Sequence, residues 1–272
     1  MAGMDGRTET AELTRRMLPN GVCLLTLNRP ARRNSLSLAL LKALREALAA
    51  IAADPAVRVV VLAGEGPAFC AGHDLAELTA HRADADGGEA FFRTAMGECA
   101  AMMQAIVALP QPVIAAVHGI ATAAGCQLVA TADLAVAEAS ARFCTPGVSI
   151  GLFCSTPAVA LSRAVPRKAA MEMLLTGDMI GAAEAHRIGL VNRVVADGAA
   201  REEALALAGA IAARSRHVVT LGKAAFNRQA TKGLAEAYDD AACVMVENMM
   251  AADAIEGIGA FLGKRAPVWK DS

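Results

Sequence analysis

A six-residue apolar run over residues 22–27 ends at Asn28-Arg29-Pro30, where a residue without an N–H stops a strand. Beyond it, Leu40, Leu41, Leu44 and Leu48 recur at helical spacing. Ser35 or Ser37 is placed to cap that helix, which is predicted to reach about residue 52. Asp54-Pro55 stops it, and the β-branched run 57–62 predicts a second strand. Gly64-Glu65-Gly66-Pro67 reads as a turn. Residues 89–109 have the period of a long helix that Pro110 ends. A third strand is expected over 112–117, a small-residue turn over 119–124, and a helix from there to about 131. Short strands follow at 134–137 and 142–145.

The second half changes character. Residues 157–164, 167–176 and 182–188 read as helices, with Gly189 as a C-cap and one more strand at 190–195. The segments 201–215, 219–231 and 233–262 carry helical periodicity and little strand signal. Strand–helix alternation implies a parallel sheet flanked by helices, an α/β fold. The chain thus divides into a strand–helix core over 1–197 and a helical C-terminal region over 198–272.

Composition narrows this picture. Of 272 residues 55% are hydrophobic and 19% charged, which excludes a disordered chain. Aromatics make up 3%, so small aliphatic side chains must fill the core. With 26 Lys+Arg against 27 Asp+Glu, charge gives no support for nucleic acid or a membrane surface as partner. The seven cysteines are scattered and form no C-x-x-C pair, which argues against a zinc site or a disulfide framework and for reduced, buried thiols. No secretory signal is visible at the start, and the most apolar stretch, 112–126, is too short to span a bilayer. Together these features point to the cytoplasm.

Two turns carry candidate chemistry. In Phe69-Cys70-Ala71-Gly72-His73-Asp74-Leu75, the small pair Ala71-Gly72 lets a ligand approach the main chain, so that the His73 N–H can face an anionic oxygen. On these residues alone a plain strand-to-helix turn is the favoured reading. In Gly119-Ile120-Ala121-Thr122-Ala123-Ala124-Gly125-Cys126-Gln127, a strand passes through small residues into a helix whose first N–H groups favour negative charge; tight helix–sheet packing is the other reading. Two such turns can give two donors to one developing oxyanion, a device whose single donors are each worth about 3 kcal/mol.

Cys70-Ala71-Gly72-His73-Asp74-Leu75, Thr122-Ala123-Ala124-Gly125-Cys126-Gln127-Leu128 and Leu175-Thr176-Gly177-Asp178 together resemble the enoyl-CoA hydratase/isomerase (crotonase) superfamily, over about residues 13–270. One subgroup of it is similar also in the segments 121–130, 145–148 and 151–157. The resemblance implies a ClpP-like spiral of repeated ββα units, a helical trimerisation region, and a homotrimer or a dimer of trimers. It implies a coenzyme A thioester as ligand, with the oxyanion hole on the backbone N–H groups of His73 and Ala124.

The resemblance also marks a departure. Superfamily hydratases use two glutamates, and residue matching puts them at Gln127 and Gly147. Gln exchanges hydrogen bonds but moves no proton near pH 7, and Gly has no side chain. Ordinary two-glutamate hydration is therefore unsupported. His73 is a side chain that titrates near neutrality and so a possible proton carrier, although its expected role is through the backbone. Asp74 either caps the helix that follows or touches the ligand. Some naphthoate synthases of the superfamily carry glycine where hydratases have an acid and admit bicarbonate as the base, so Gly147 raises that expectation here, beside simple turn shaping. The acyl chain is expected near Gly147 and Phe153. Ala71, Gly72, Arg32, Arg33, Lys223 and Lys264 complete the expected contacts to the thioester and the CoA phosphates. No metal is expected. The leading reading is enolate chemistry on an acyl-CoA; the second is an acyl-CoA-binding carrier or regulator with impaired catalysis; an RNA-interacting role is disfavoured by the neutral charge.

Overall fold

The computed structural model describes residues 8–10 and 12–272. Residues 1–7, on which much of the reading for a secretory signal rests, lie outside the described residues. The strands are β1 (Thr8–Thr10), β2 (Leu13–Met17), β3 (Val22–Leu27), β4 (Val59–Gly64), β5 (Val113–Val117), β6 (Ile120–Thr122), β7 (Leu134–Glu138), β8 (Arg142–Cys144), β9 (Ile180–Gly181) and β10 (Arg193–Val195). A seven-stranded sheet runs in the order β1-β2-β3-β4-β5-β7-β10. The pairings β1–β2 and β2–β3 are antiparallel, and the rest are parallel. A small second sheet, β6-β8-β9, stands beside it.

The helices are α1 (Leu38–Ala52), α2 (Leu75–Ala80), α3 (Glu89–Ala108), α4 (Ala124–Thr131), α5 (Ser155–Ala164), α6 (Arg167–Thr176), α7 (Ala182–Arg187), α8 (Ala200–Ala212), α9 (Arg216–Gln229), α10 (Leu234–Met250) and α11 (Ala252–Leu262). Ser37 caps α1, its hydroxyl accepting from the Leu40 N–H at 3.1 Å. Of the two serines weighed from sequence, the second is the cap.

Strands buried on both faces read as unbroken apolar runs, and β3 and β4 are buried throughout. Alternation then splits their side chains between two cores. Cys23, Leu25, Leu27, Val60 and Leu62 pack with Leu40, Leu44, Met102 and Ile106 of α1 and α3. Val22, Leu24, Val59, Val61, Ile114 and Ala116 face Ala200, Ala204, Ala208 and Ala212, four methyl groups one helical turn apart on α8. Helix α8 therefore completes the sheet. The change of character expected at residue 198 comes instead after α8, because α9 and α10 contain no buried residue and α11 only Asp253 and Ala260.

Two local expectations need correction. The turn expected over 119–124 contains β6, too short and too alanine-rich to announce itself. The single helix expected over 233–262 breaks at Ala251, which is extended at φ −67° and ψ 146°. The break lets buried Asp253 accept the N–H groups of Lys270 and Asp271, at 2.6 and 2.9 Å, and so tie down the C-terminal tail.

Candidate active site

The two candidate turns meet at the carboxyl end of the parallel strands. Past β4, buried Asn34 donates to the carbonyls of Glu65 and Ala68, both at 2.8 Å, and so shapes the chain that leads into Cys70. Cys70 bridges to Ala121: its N–H donates to Ile120 O at 3.1 Å, and its carbonyl accepts from Thr122 N–H at 3.0 Å. Three residues on, Leu36 bridges to His73 through Gly72 O (2.7 Å) and the Asp74 N–H (3.1 Å). In such a parallel bridge the partner strand bonds to the residues either side, so the N–H of His73 itself is turned away from Leu36. A Cβ on Gly72 would lie 3.5 Å from the Ala124 nitrogen and 3.1 Å from Thr122 O. The two turns are thus in contact. Among the described residues neither the His73 N–H nor the Ala124 N–H has an acceptor.

The start of α4 is held by close backbone packing. A Cβ on Gly125 would stand 2.1 Å from Cys70 O, so only glycine allows α4 to sit on that carbonyl. Ala123, the residue before α4, has φ 50° and donates its N–H to Cys144 O at 2.9 Å. Free N–H groups and the positive end of the helix dipole then favour an anionic oxygen at Ala124.

None of His73, Gln127 and Gly147 brings a carboxylate to this pair. Burial pushes the His73 imidazole down to about 4, and its buried Nε2 has no partner. The imidazole is thus held in its neutral form near pH 7. Buried Gln127 has an unpartnered Oε1. Gly147 is buried, and a Cβ there would meet Leu152 O at 2.8 Å and Cys154 Sγ at 2.9 Å. The space that a side chain at 147 would need is thus taken by the 152–154 segment. Phe153, half exposed, lies in the segment that closes over Gly147. Burial raises the Cys126, Cys144 and Cys154 thiols, Cys144 to about 11, and so makes poor nucleophiles of all three. Among the described residues no group of three or more His, Cys, Asp and Glu side chains can hold a metal ion.

Asp74 is engaged inside the protein, which corrects its assignment to the ligand. Its carboxylate caps α2, accepting from the N–H groups of Ala76 (3.2 Å) and Glu77 (3.3 Å), and pairs with Arg29 Nη2 at 3.0 Å. Burial opposes the charge, but the Glu77 N–H, Arg29 and the Ala76 N–H together hold the carboxyl below its usual range. Arg29 also meets Glu12 at 2.9 Å and donates to Ser35 O. Sequence reading passed over Arg29 as part of a strand end. The only clue was its place between two turn residues.

The basic candidates separate. Arg32 and Arg33 are exposed, and Arg33 O accepts the Ala71 N–H at 3.0 Å, which places this pair against the site. Lys223 does not belong with them. Its Nζ donates to Ile106 O (3.1 Å), Gln111 O (3.0 Å) and Asp133 Oδ2 (2.6 Å), so the charge is used up in tying α9 to the body. Lys264 follows α11, and the tail it opens is tied through Asp271 to Arg58 (2.7 Å) and through Trp269 to Ala213 O (3.0 Å). Arg58 stands at the beginning of β4, whereas His73 follows its end. Lys264 itself donates its N–H to Phe261 O at 3.2 Å, just past the end of α11.

The family model for enoyl-CoA hydratase/isomerase matches residues 18–272. The rat protein "Enoyl-CoA hydratase domain-containing protein 3, mitochondrial" is 47% identical over 264 residues, 97% of this chain and 86% of that one. Among solved structures, enoyl-CoA hydratase of Mycobacterium smegmatis superposes with a TM-score of 0.91 at 51% identity, covering 96% of this chain and 99% of the other. Human enoyl-CoA hydratase domain-containing protein 3 gives 0.90 at 46% identity, covering 95% and 100%. These matches bear out the superfamily, the subgroup and the crotonase-type α/β fold. They also correct the expected cytoplasmic location, since the rat, mouse and human relatives are named as mitochondrial. Among the described residues no helix is long and apolar enough to cross a membrane.

Proposed function

The chain belongs to the enoyl-CoA hydratase/isomerase family, and from that we propose that it binds an acyl-CoA thioester with the carbonyl oxygen between the N–H groups of His73 and Ala124. The observation that carries this reading is the contact of the two turns with both amides left without an acceptor. As electrons move toward that oxygen, the two donors and the α4 dipole stabilise the enolate. Arg32 and Arg33, beside Ala71, supply mobile positive charge for the CoA phosphates. The exposed apolar side chains of α9–α11, among them Phe226, Tyr238, Met249, Ile255 and Phe261, fit the homotrimer or dimer of trimers that the family suggests.

The reaction is an enolate-type lyase or isomerase step with no carboxylate at positions 127 or 147 to shuttle the proton. A second reading, an acyl-CoA-binding carrier or regulator, draws on the same two positions and on the closed space at Gly147. One experiment separates them. Saturated and enoyl-CoAs of several chain lengths are incubated with the protein in D2O and followed by mass spectrometry. Deuterium uptake at the α-carbon, or a new product, is expected for the enzyme. Saturable binding with no uptake selects the carrier. No binding of any thioester refutes both.

A further inference from the structure

Ala123 has φ 50° and ψ −117°. That conformation matches the first central residue of a type II′ turn, a position that favours glycine. A residue's ψ sets the direction of the next N–H, so the strained torsion is the one that aims the Ala124 amide. Its neighbours hold it in place. Ala123 N–H donates to Cys144 O at 2.9 Å, Gln127 N–H donates to Ala123 O at 2.9 Å, and Thr122 N–H donates to Cys70 O at 3.0 Å. The Ala123 methyl faces the other turn: it lies 3.0 Å from the point where a Cβ on Gly72 would be. A glycine at 123 would adopt the same angles without strain but would leave the gap between the turns empty. Backbone strain of this kind persists only where the surroundings enforce it, and it concentrates at functional sites.

We propose that Ala123 is a positioning residue: its methyl, wedged against Gly72, holds the torsion that points the Ala124 N–H at the ligand's carbonyl oxygen, and the fold is less stable for it. This rests on the thioester reading above and deepens it. The test compares wild type, Ala123→Gly and Ala123→Ser. Three quantities are measured: the unfolding equilibrium, the affinities for acetyl-CoA and for free CoA, and the infrared band of acetyl-CoA carrying carbon-13 at the thioester carbonyl.

Ala123→Gly is expected to lower the unfolding constant about fivefold, since relief of strain outweighs the greater freedom of glycine in the unfolded chain. The same variant is expected to lose about tenfold in acetyl-CoA affinity relative to free CoA, the scale of one weakened hydrogen bond. Its carbonyl band should move back toward that of the ligand in solution. Ala123→Ser keeps the Cβ and should keep the wild-type band. The proposal is overturned if Ala123→Gly retains band and affinity, or if it unfolds more readily than wild type. If the wild-type band equals that of the free ligand, the thioester reading itself fails and takes this proposal with it.

Discussion

Replacing Lys223 by methionine tests whether that cation serves the fold or the ligand. The Lys223 side chain is 7% exposed, and its ammonium meets two carbonyls and one carboxylate within 3.1 Å. Burial pulls its pKa below the ordinary lysine range while Asp133 pushes back, the balance expected of a buried charge with a single anionic partner. Methionine keeps most of the volume and removes the charge. Ile106 O and Gln111 O then lose this donor, and Asp133 keeps the Val113 N–H at 2.7 Å. Removing one partner of a buried pair costs about 3–5 kcal/mol. Because Asp133 is about a quarter exposed and can turn to water, the low end applies, about 3 kcal/mol. Urea unfolding followed by circular dichroism reads this loss directly. Titration with free CoA at a temperature where the variant is folded should give the wild-type affinity. A variant with unchanged stability but an affinity at least tenfold weaker would return Lys223 to the phosphates and refute the structural role.

Three further outcomes follow from the same contacts. Gly125→Ala drives a Cβ into Cys70 O at 2.1 Å, where both atoms belong to pinned backbone, and should cost about 3 kcal/mol or prevent folding, as read by thermal unfolding. Arg29→Met breaks the links to Glu12, Ser35 and Asp74 and should destabilise by about 2–3 kcal/mol near neutral pH; since the Asp74 carboxyl is held below its usual range, wild type loses that contribution as the pH falls below about 4, and the gap between the two proteins should narrow there. His73 has a folded pKa below its unfolded value, so the unfolded chain binds more protons between about pH 4 and 6.5, and stability should rise with pH across that window; His73→Gln should flatten the slope, and a histidine NMR titration that puts this ring near 6.5 would refute the assignment.

Much of the core was legible because its strands are short unbroken apolar runs and its longer helices show strong periodicity. Residues 22–27 form the strand that their pattern predicts, and Leu40, Leu41, Leu44 and Leu48 all turn inward. Edge and bridging elements were harder to read. Leu13–Met17 carries two arginines in five residues, and β6 spends its three residues linking Cys70 to β8. The two turns stand out in the sequence as small residues at a strand end and at a helix start, whereas the choice of the His73 and Ala124 amides within them comes from the family resemblance. Charged side chains were not separable in this way. Lys223 and Arg33 look equally free in the sequence; only the fold brings two carbonyls and Asp133 to one of them and solvent to the other. Arg29 hid for the opposite reason: its partners Glu12 and Asp74 lie 17 and 45 positions away.

The way Leu152 and Cys154 crowd Gly147 bears on the order in which substitutions can accumulate. An acid introduced there alone meets a main-chain oxygen that no rotamer change can move aside. The 152–154 segment must retreat before a carboxyl can be housed, and nothing rewards that retreat until the acid arrives. Two-acid chemistry in this chain therefore demands acids at both 127 and 147 together with a shift of the 152–154 segment, three coordinated changes.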